Sequence, residues 1–368
     1  MNLSQFKLKL DTYKNDFNKS DFCANFLQGN QPRYILGRNF WARSIANEID
    51  VDGFVDDFTS EEYFLDKPIL KVHDVPENAL IISANVLGRP ITVKNKLIEH
   101  NLQQIDYFAF RKYSGLTLEP VLFWDEFLNE FKLNRDKFDW IYSLLADQQS
   151  RTEFSNLINF RLSSDLSYME DFADIQYRQY FEDFLQLQPE QETFLDVGCF
   201  DGKTSLEFIK RCADYAGIHV FEPEPENMIN VKQNLAGLPN ITFHDSGLSN
   251  QSQTLRFSVE GSSSKVSNAG DILIIVERLD DLIHTPFTFL KMDIEGEELS
   301  AIEGAKESII KHHPKLAICV YHRPDDFWKI PELILSFRSD YKVYLRHYTE
   351  GVTETVMFFI PSETANVS

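Results

Sequence analysis

The run Phe194-Leu195-Asp196-Val197-Gly198-Cys199-Phe200-Asp201-Gly202 carries an apolar stretch into two glycines and on into a helical segment, Thr204 to Arg211. Glycines at such a junction let the backbone turn sharply and come close to a ligand. Asp196 ends the predicted strand, where its carboxylate can accept from a cationic or hydroxyl group. A dinucleotide fingerprint would read GxGxxG and aim a helix N-terminus at pyrophosphate. This loop reads DxGxxxG, with Phe200 in place of a middle glycine and Asp201 adding an acid. Crowded acids suit a ligand with a positive amino group better than a diphosphate.

The next acid comes at a telling interval. Val220-Phe221-Glu222-Pro223 ends the following strand, and Glu222 lies 24 residues after Gly198. An acid there hydrogen-bonds a ribose diol in nucleotide-binding βαβ units; taken alone, it is equally a solvated strand-end acid. His244-Asp245-Ser246 ends a third strand, so Asp245 and Ser246 either face an adenine or form an ordinary Asx turn. Phe289-Leu290-Lys291-Met292-Asp293 puts Lys291 and Asp293 at the carboxyl end of a central strand, where ligands sit in open α/β sheets. Glu297 and Glu298 follow in a helical first turn, which acids stabilise without any further role. The strand Leu316 to Tyr321 delivers His322, whose ordinary pKa makes it the first choice of base. Asp293 is the second choice. Asp293 with Glu295 or Glu297 is compatible with a divalent metal that lowers a hydroxyl pKa, but the spacing does not demand one.

These residues need a sheet to hold them. Strands are predicted at 193–197, 217–221, 240–243, 272–276, 287–292 and 315–321, with helices between most of them. Two β-rich runs, KVYLRHY and VTETVMFFIP, joined by a short turn, predict a closing antiparallel hairpin. A smaller α/β pattern precedes them, with strands at 34–36, 51–57, 79–83 and 105–110. The apolar spacing of 117–190, through DIQYRQYFEDFL, predicts a helical connector. The expected division is a helical segment at 1–30, a Rossmann-like domain at 31–115, a connector or lid at 116–190 and a larger α/β domain at 191–368.

The chain has 368 residues and a net charge of -21, with 57 acids against 36 bases. That balance argues against a nucleic-acid partner and against an anionic membrane surface. There is no long apolar run, hence no expected membrane span or signal peptide. Cys23, Cys199, Cys212 and Cys319 are scattered, as expected for buried free thiols in a reducing cytoplasm.

With these motifs in view, residues 176–360 resemble the FkbM family of methyltransferases. The resemblance rests on FLDVGCFDGKTS, VFEPEPENMINVKQNL, FLKMDIEGEELSAIEGA and the strand ending in YH. It implies a class I methyltransferase fold, a mostly parallel sheet closed by an antiparallel hairpin. It also implies S-adenosyl-L-methionine as cofactor and methyl transfer to oxygen, often on a sugar, glycan or small natural product. Asp196, Gly198 and Gly202 would hold the methionine end and Glu222 the ribose. The family usually has a small residue and then Asn after the first glycine; Cys199-Phe200 departs from that. A lid is often supplied from the region of Tyr177, Arg178 and Tyr180. The N-terminal domain resembles small domains fused to glycan-modifying enzymes. Asp56 lies 19 residues after Gly37, as at a dinucleotide site, but Arg38, Asn39, Phe40 and Trp41 obstruct a pyrophosphate turn. A scaffold, an acceptor-binding part or the contact of a homo-oligomer fits that domain better. Two other readings stay open: a nicotinamide-dependent oxidoreductase or epimerase using the N-terminal domain, and a non-catalytic binding module.

Overall fold

The computed structural model describes Leu8, Leu10 and residues 16–260, 263–266 and 272–362. A helix, Phe17–Gln28, starts where the Asp16 carboxylate accepts from the Asn18 and Lys19 N–H groups. The rest of the helical reading of residues 1–15 falls almost wholly outside the described residues.

The first sheet contains β1 (Arg33–Leu36), β2 (Gly53–Val55), β3 (Tyr63–Phe64), β4 (Lys67–Leu70), β5 (Leu80–Ser83) and β6 (Gln103–Asp106). Its order is β3-β4-β2-β1-β5-β6, parallel except for the β3–β4 hairpin. The strand expected over 105–110 is corrected here: it stops at Asp106, and Tyr107–Tyr113 is a helix. The Asp106 carboxylate accepts from the Ala109 N–H at 2.9 Å, and that cap outweighs the strand preference of the aromatic run.

The seven-stranded sheet runs β16-β17-β15-β14-β7-β8-β9. Its members are β7 (Thr193–Val197), β8 (Gly217–Phe221), β9 (Ile241–His244), β14 (Phe289–Met292), β15 (Lys315–Cys319), β16 (Tyr341–His347) and β17 (Thr355–Pro361). β17 is antiparallel to both β15 and β16; the other pairs are parallel. All four residues of β14 are buried, Lys291 included, as in a central strand covered on both faces. A side sheet, order β10-β13-β11-β12, holds β10 (Gly247–Leu248), β11 (Gln253–Glu260), β12 (Ser263–Val266) and β13 (Ile272–Glu277). The strand expected at 272–276 therefore lies outside the main sheet. Its Ile274 and Val276 are buried, while Leu273 and Ile275 are 63% and 54% exposed, the alternation of a strand covered on one face.

The connector has helices Phe127–Leu133, Arg135–Leu144 and Gln148–Ser163. The expected helix through DIQYRQYFEDFL is corrected: only single 3₁₀ turns form, at Gln176–Arg178 and Asp183–Leu185. Tyr180 and Gln186 are left-handed, with φ of 71° and 47°, and a helix cannot pass through such residues.

Candidate active site

The carboxyl edge of the seven-stranded sheet gathers most of the predicted residues. Register in β7 and β14 sets Lys291 beside Asp196. Asp196 is fully buried, accepts from the Ser205 hydroxyl at 2.7 Å and lies 3.3 Å from the Lys291 ammonium. The cation and hydroxyl expected around Asp196 are thus supplied by the chain itself. Lys291 also donates to the Gly198 carbonyl at 2.6 Å. Burial works against its charge, but Asp196 and Asp293 raise its pKa and keep it an ammonium. Gly198 has φ 74°, and a Cβ there would sit 1.9 Å from the Asp293 carbonyl oxygen, so only glycine lets the loop lie this close to the end of β14. Gly202, at φ 80°, starts the helix Lys203–Arg211.

His322 follows β15 and stands among carboxylates. Its Nδ1 is 3.0 Å from Glu298, and its Nε2 is 3.4 Å from Asp293 and 3.7 Å from Glu295. Burial alone would discharge the ring, yet Glu298, Asp293 and Glu295 push its pKa up to about 10. An imidazolium has no lone pair for a proton, which conflicts with His322 as the base. Burial tends to raise Asp293, but His322, Lys291 and a 2.7 Å hydrogen bond from the Tyr180 hydroxyl hold it below the carboxylate range. Burial lifts Glu295 and Glu354 to about 7 each.

Asp293, Glu298 and His322 offer ligand atoms within 4.8 Å of one another, the one group among the described residues with spacing for a metal ion. It is not the expected set, since Glu298 replaces Glu295 or Glu297. The imidazolium already neutralises these acids, and an ion would have to displace its proton. As they stand the residues fit a self-neutralised cluster rather than a metal.

The neighbouring strand ends form a second lobe. Glu222 is buried after β8 and accepts from the Phe200 and Glu224 N–H groups, each at 3.0 Å. A carboxylate has lone pairs to spare beyond those two. Phe200 is left-handed at φ 51°, which turns its N–H onto Glu222. Pro223 packs against Gly247. After β9, the Ser246 hydroxyl is buried without a hydrogen-bond partner, and His244 stacks on Phe221 with ring centroids 4.2 Å apart. Two predicted residues are engaged elsewhere: Asp201 pairs with Lys203 and Asp245 with Lys232. Of the lid candidates, Tyr180 enters the site, while Tyr177 is exposed and Arg178 faces Glu182.

Several site residues escaped the sequence reading. Glu298 reads as a helix-start acid, yet it is fully buried against His322 and accepts from the Ile294 N–H at 2.9 Å. Glu354, from the β16–β17 turn, accepts from Gln179 and from the Tyr321 hydroxyl. Phe123 packs edge-on to the rings of Tyr321 and His322. Buried Arg161 donates to the carbonyls of Phe123 at 2.6 Å and Val352 at 2.9 Å, tying the two walls together. The only local signal was left-handed backbone away from glycine, which the letters do not show: Tyr180, Glu295 and Glu354 all have it.

Residues 196–349 match the family described as Methyltransferase FkbM domain. A crystal structure of methyltransferase FkbM from Methylobacillus flagellatus KT aligns over 94% of both chains, at 24% identity and a TM-score of 0.75. That likeness extends the shared fold through the N-terminal sheet. An rRNA methylase from Streptococcus thermophilus covers 49% of this chain and 93% of its own, at 12% identity and TM-score 0.35. Fibrillarin from Aeropyrum pernix, bound to S-adenosyl-L-methionine, covers 47% and 69%, at 11% and 0.32. No curated protein matches the chain.

Proposed function

Because residues 196–349 match the methyltransferase FkbM family, we propose that this chain is an S-adenosylmethionine-dependent enzyme that methylates oxygen, on a hydroxyl of a sugar, glycan or related small metabolite. The observation that carries the proposal is the carboxylate cluster around buried His322, in which half-buried Glu295 is poised near pH 7. A hydroxyl must lose its proton as the new bond forms, so its methylation calls for a base near neutrality.

The cofactor, when bound, supplies a methyl group already activated on a sulfonium. The chain fits it: Gly198 allows close approach, the Glu222 carboxylate has capacity for a ribose diol, and the unpartnered Ser246 hydroxyl awaits a polar group. In this reading the Gly198–Gly202 loop holds the methionine end, Glu222 and Pro223 the ribose, and Ser246 the adenine. Asp196 and Lys291 position that loop through the Gly198 carbonyl rather than touching the acceptor. Glu295, the most open carboxylate of the cluster facing His322, takes the acceptor proton. Asp293 stays anionic and orients the hydroxyl, and the His322 cation holds Asp293, Glu295 and Glu298 together. We place residues 191–368 as the catalytic unit, with 116–190 supplying one wall through Phe123 and Tyr180. The four cysteines are buried and free, which suits work in a reducing cytoplasm.

Calorimetric titration with S-adenosylmethionine and S-adenosylhomocysteine, beside the Asp196→Ala and Glu222→Ala variants, tests the cofactor half. Binding lost in the Glu222 variant supports it; undiminished binding removes Glu222 from the ribose site. Loss of turnover in Glu295→Gln with cofactor affinity retained supports the base.

A further inference from the structure

The N-terminal sheet has a carboxyl edge of its own, which the methyl-transfer site does not use. Successive strands of this mostly parallel sheet are added on opposite sides of β1: β2 and β4 on one side, β5 and β6 on the other. Ligands of open α/β sheets bind at such a switch point, beyond the carboxyl ends of the strands. A cavity of about 290 Å³ lies there. Gly37 after β1, Asp56, Asp57 and Phe58 after β2, Asn85 after β5 and Lys96 of the helix Pro90–Glu99 line it. Ligand pockets start at roughly 300 Å³, so this one has room for a single nucleoside unit and not for a dinucleotide. Arg38 closes the pyrophosphate route further, donating to Asp56 at 2.8 Å and pairing with Glu61.

Three features select the ligand class. The Phe58 ring is 96% exposed at the mouth, an open aromatic face that a planar base would cover. Asp56 occupies the place, after the second strand, from which an acid accepts a ribose hydroxyl. One of its oxygens takes the Phe58 N–H at 2.8 Å and the other takes Arg38, which leaves lone pairs for a diol. Gly37, at φ 107°, turns the chain away from β1 with no side chain over the crevice.

We propose that this crevice is a second binding site, for one ribonucleoside unit, with the base on Phe58 and the ribose hydroxyls on Asp56. The test uses the full chain saturated with S-adenosylhomocysteine, which keeps the adenosine lobe of the other sheet filled. The 5′-monophosphates of adenosine, guanosine, cytidine and uridine are titrated in by calorimetry, each beside its 2′-deoxy counterpart. At least one should bind. Its affinity should fall at least about tenfold in Phe58→Ala, the scale of one lost base–aromatic stack, and by a similar factor on removal of the 2′-hydroxyl. S-adenosylhomocysteine affinity of the Phe58→Ala variant should be unchanged. The proposal is overturned if none of the ribonucleotides binds, if binding survives Phe58→Ala, or if the 2′-hydroxyl makes no difference.

Discussion

At the scale of single residues, the site is organised by charge rather than by a lone catalytic histidine. His322 is the buried cation that lets Asp293, Glu295 and buried Glu298 crowd together. His322→Ala should therefore cost stability as well as turnover: breaking a buried ion pair from one side costs roughly 3–5 kcal/mol. Urea unfolding checks this, and a variant as stable as the parent would show that the ring is not neutralising the acids. Glu295→Gln keeps the shape and removes the proton acceptor. Its turnover should fall by about 10²-fold or more, with S-adenosylmethionine affinity nearly intact. In the parent, kcat/KM should rise with pH as Glu295 ionises near its value of about 7, and fall as His322 discharges near about 10. A flat profile between pH 6 and 8 would remove Glu295 as the base.

At the scale of elements, close approaches and left-handed residues aim the side chains. Gly198→Ala forces a Cβ onto the Asp293 carbonyl and strains a φ of 74°. The end of β14 must then shift, and cofactor binding should be lost while far-ultraviolet circular dichroism keeps its shape. Retained affinity would mean that the loop does not need this approach. The β16–β17 turn does double service. Glu354 faces the site, while Glu350 accepts from the Thr92 N–H at 2.8 Å and from the Thr92 hydroxyl at the start of the helix Pro90–Glu99. Arg89 and Lys94 around that helix start pair with Asp174 and Glu170 of the connector. Glu350→Ala should therefore lower the melting temperature by a few degrees, the effect of losing a cap worth about 1 kcal/mol. An unchanged melting temperature would show that the two sheets are held by other contacts.

At the scale of the whole molecule, Glu295, Glu354 and His322 pull stability in one direction. His322 is raised from 6.5 to about 10, so its contribution is full below 6.5 and is lost as pH climbs through 10. Glu295 and Glu354 are raised from 4.5 to about 7, so folding gains from their protonated forms and loses that gain between 4.5 and 7. Ion-paired surface acids such as Asp50 are lowered and lose their contribution only below 3.8. The net charge of -21 adds repulsion as the last carboxyls ionise. Burial lowers His244 to about 4 and His347 to about 3, so each adds stability as pH rises to 6.5 and nothing further above it. The melting temperature should therefore peak near neutrality and decline from pH 7 to 10. A value that rises over that span would contradict the charge assignment of the cluster.

What could be read from the letters was local. The glycine loop at 198–202, the acid Glu222 at its interval, the strands around them and the closing hairpin are each written within a few residues, because turns and strand ends obey short-range rules. The FkbM phrases were legible for the same reason. The partners of these residues were not. Tyr180 meets Asp293 across 113 residues of sequence, and Lys315 meets Glu192 across 123. No periodicity announces such pairings. Glu298 reads as a helix-start acid until packing buries it against His322. β13 reads as one more strand of the main sheet until its exposed face shows otherwise. The aromatic run at Tyr107–Phe110 reads as strand until the Asp106 cap turns it into helix. Sequence alone therefore determined that the glycine loop, Glu222, Lys291, Asp293 and His322 stand at strand ends on the carboxyl edge of the sheet. Only the tertiary structure decided their charges, because a pKa depends on burial and on neighbours that the chain brings together from far apart.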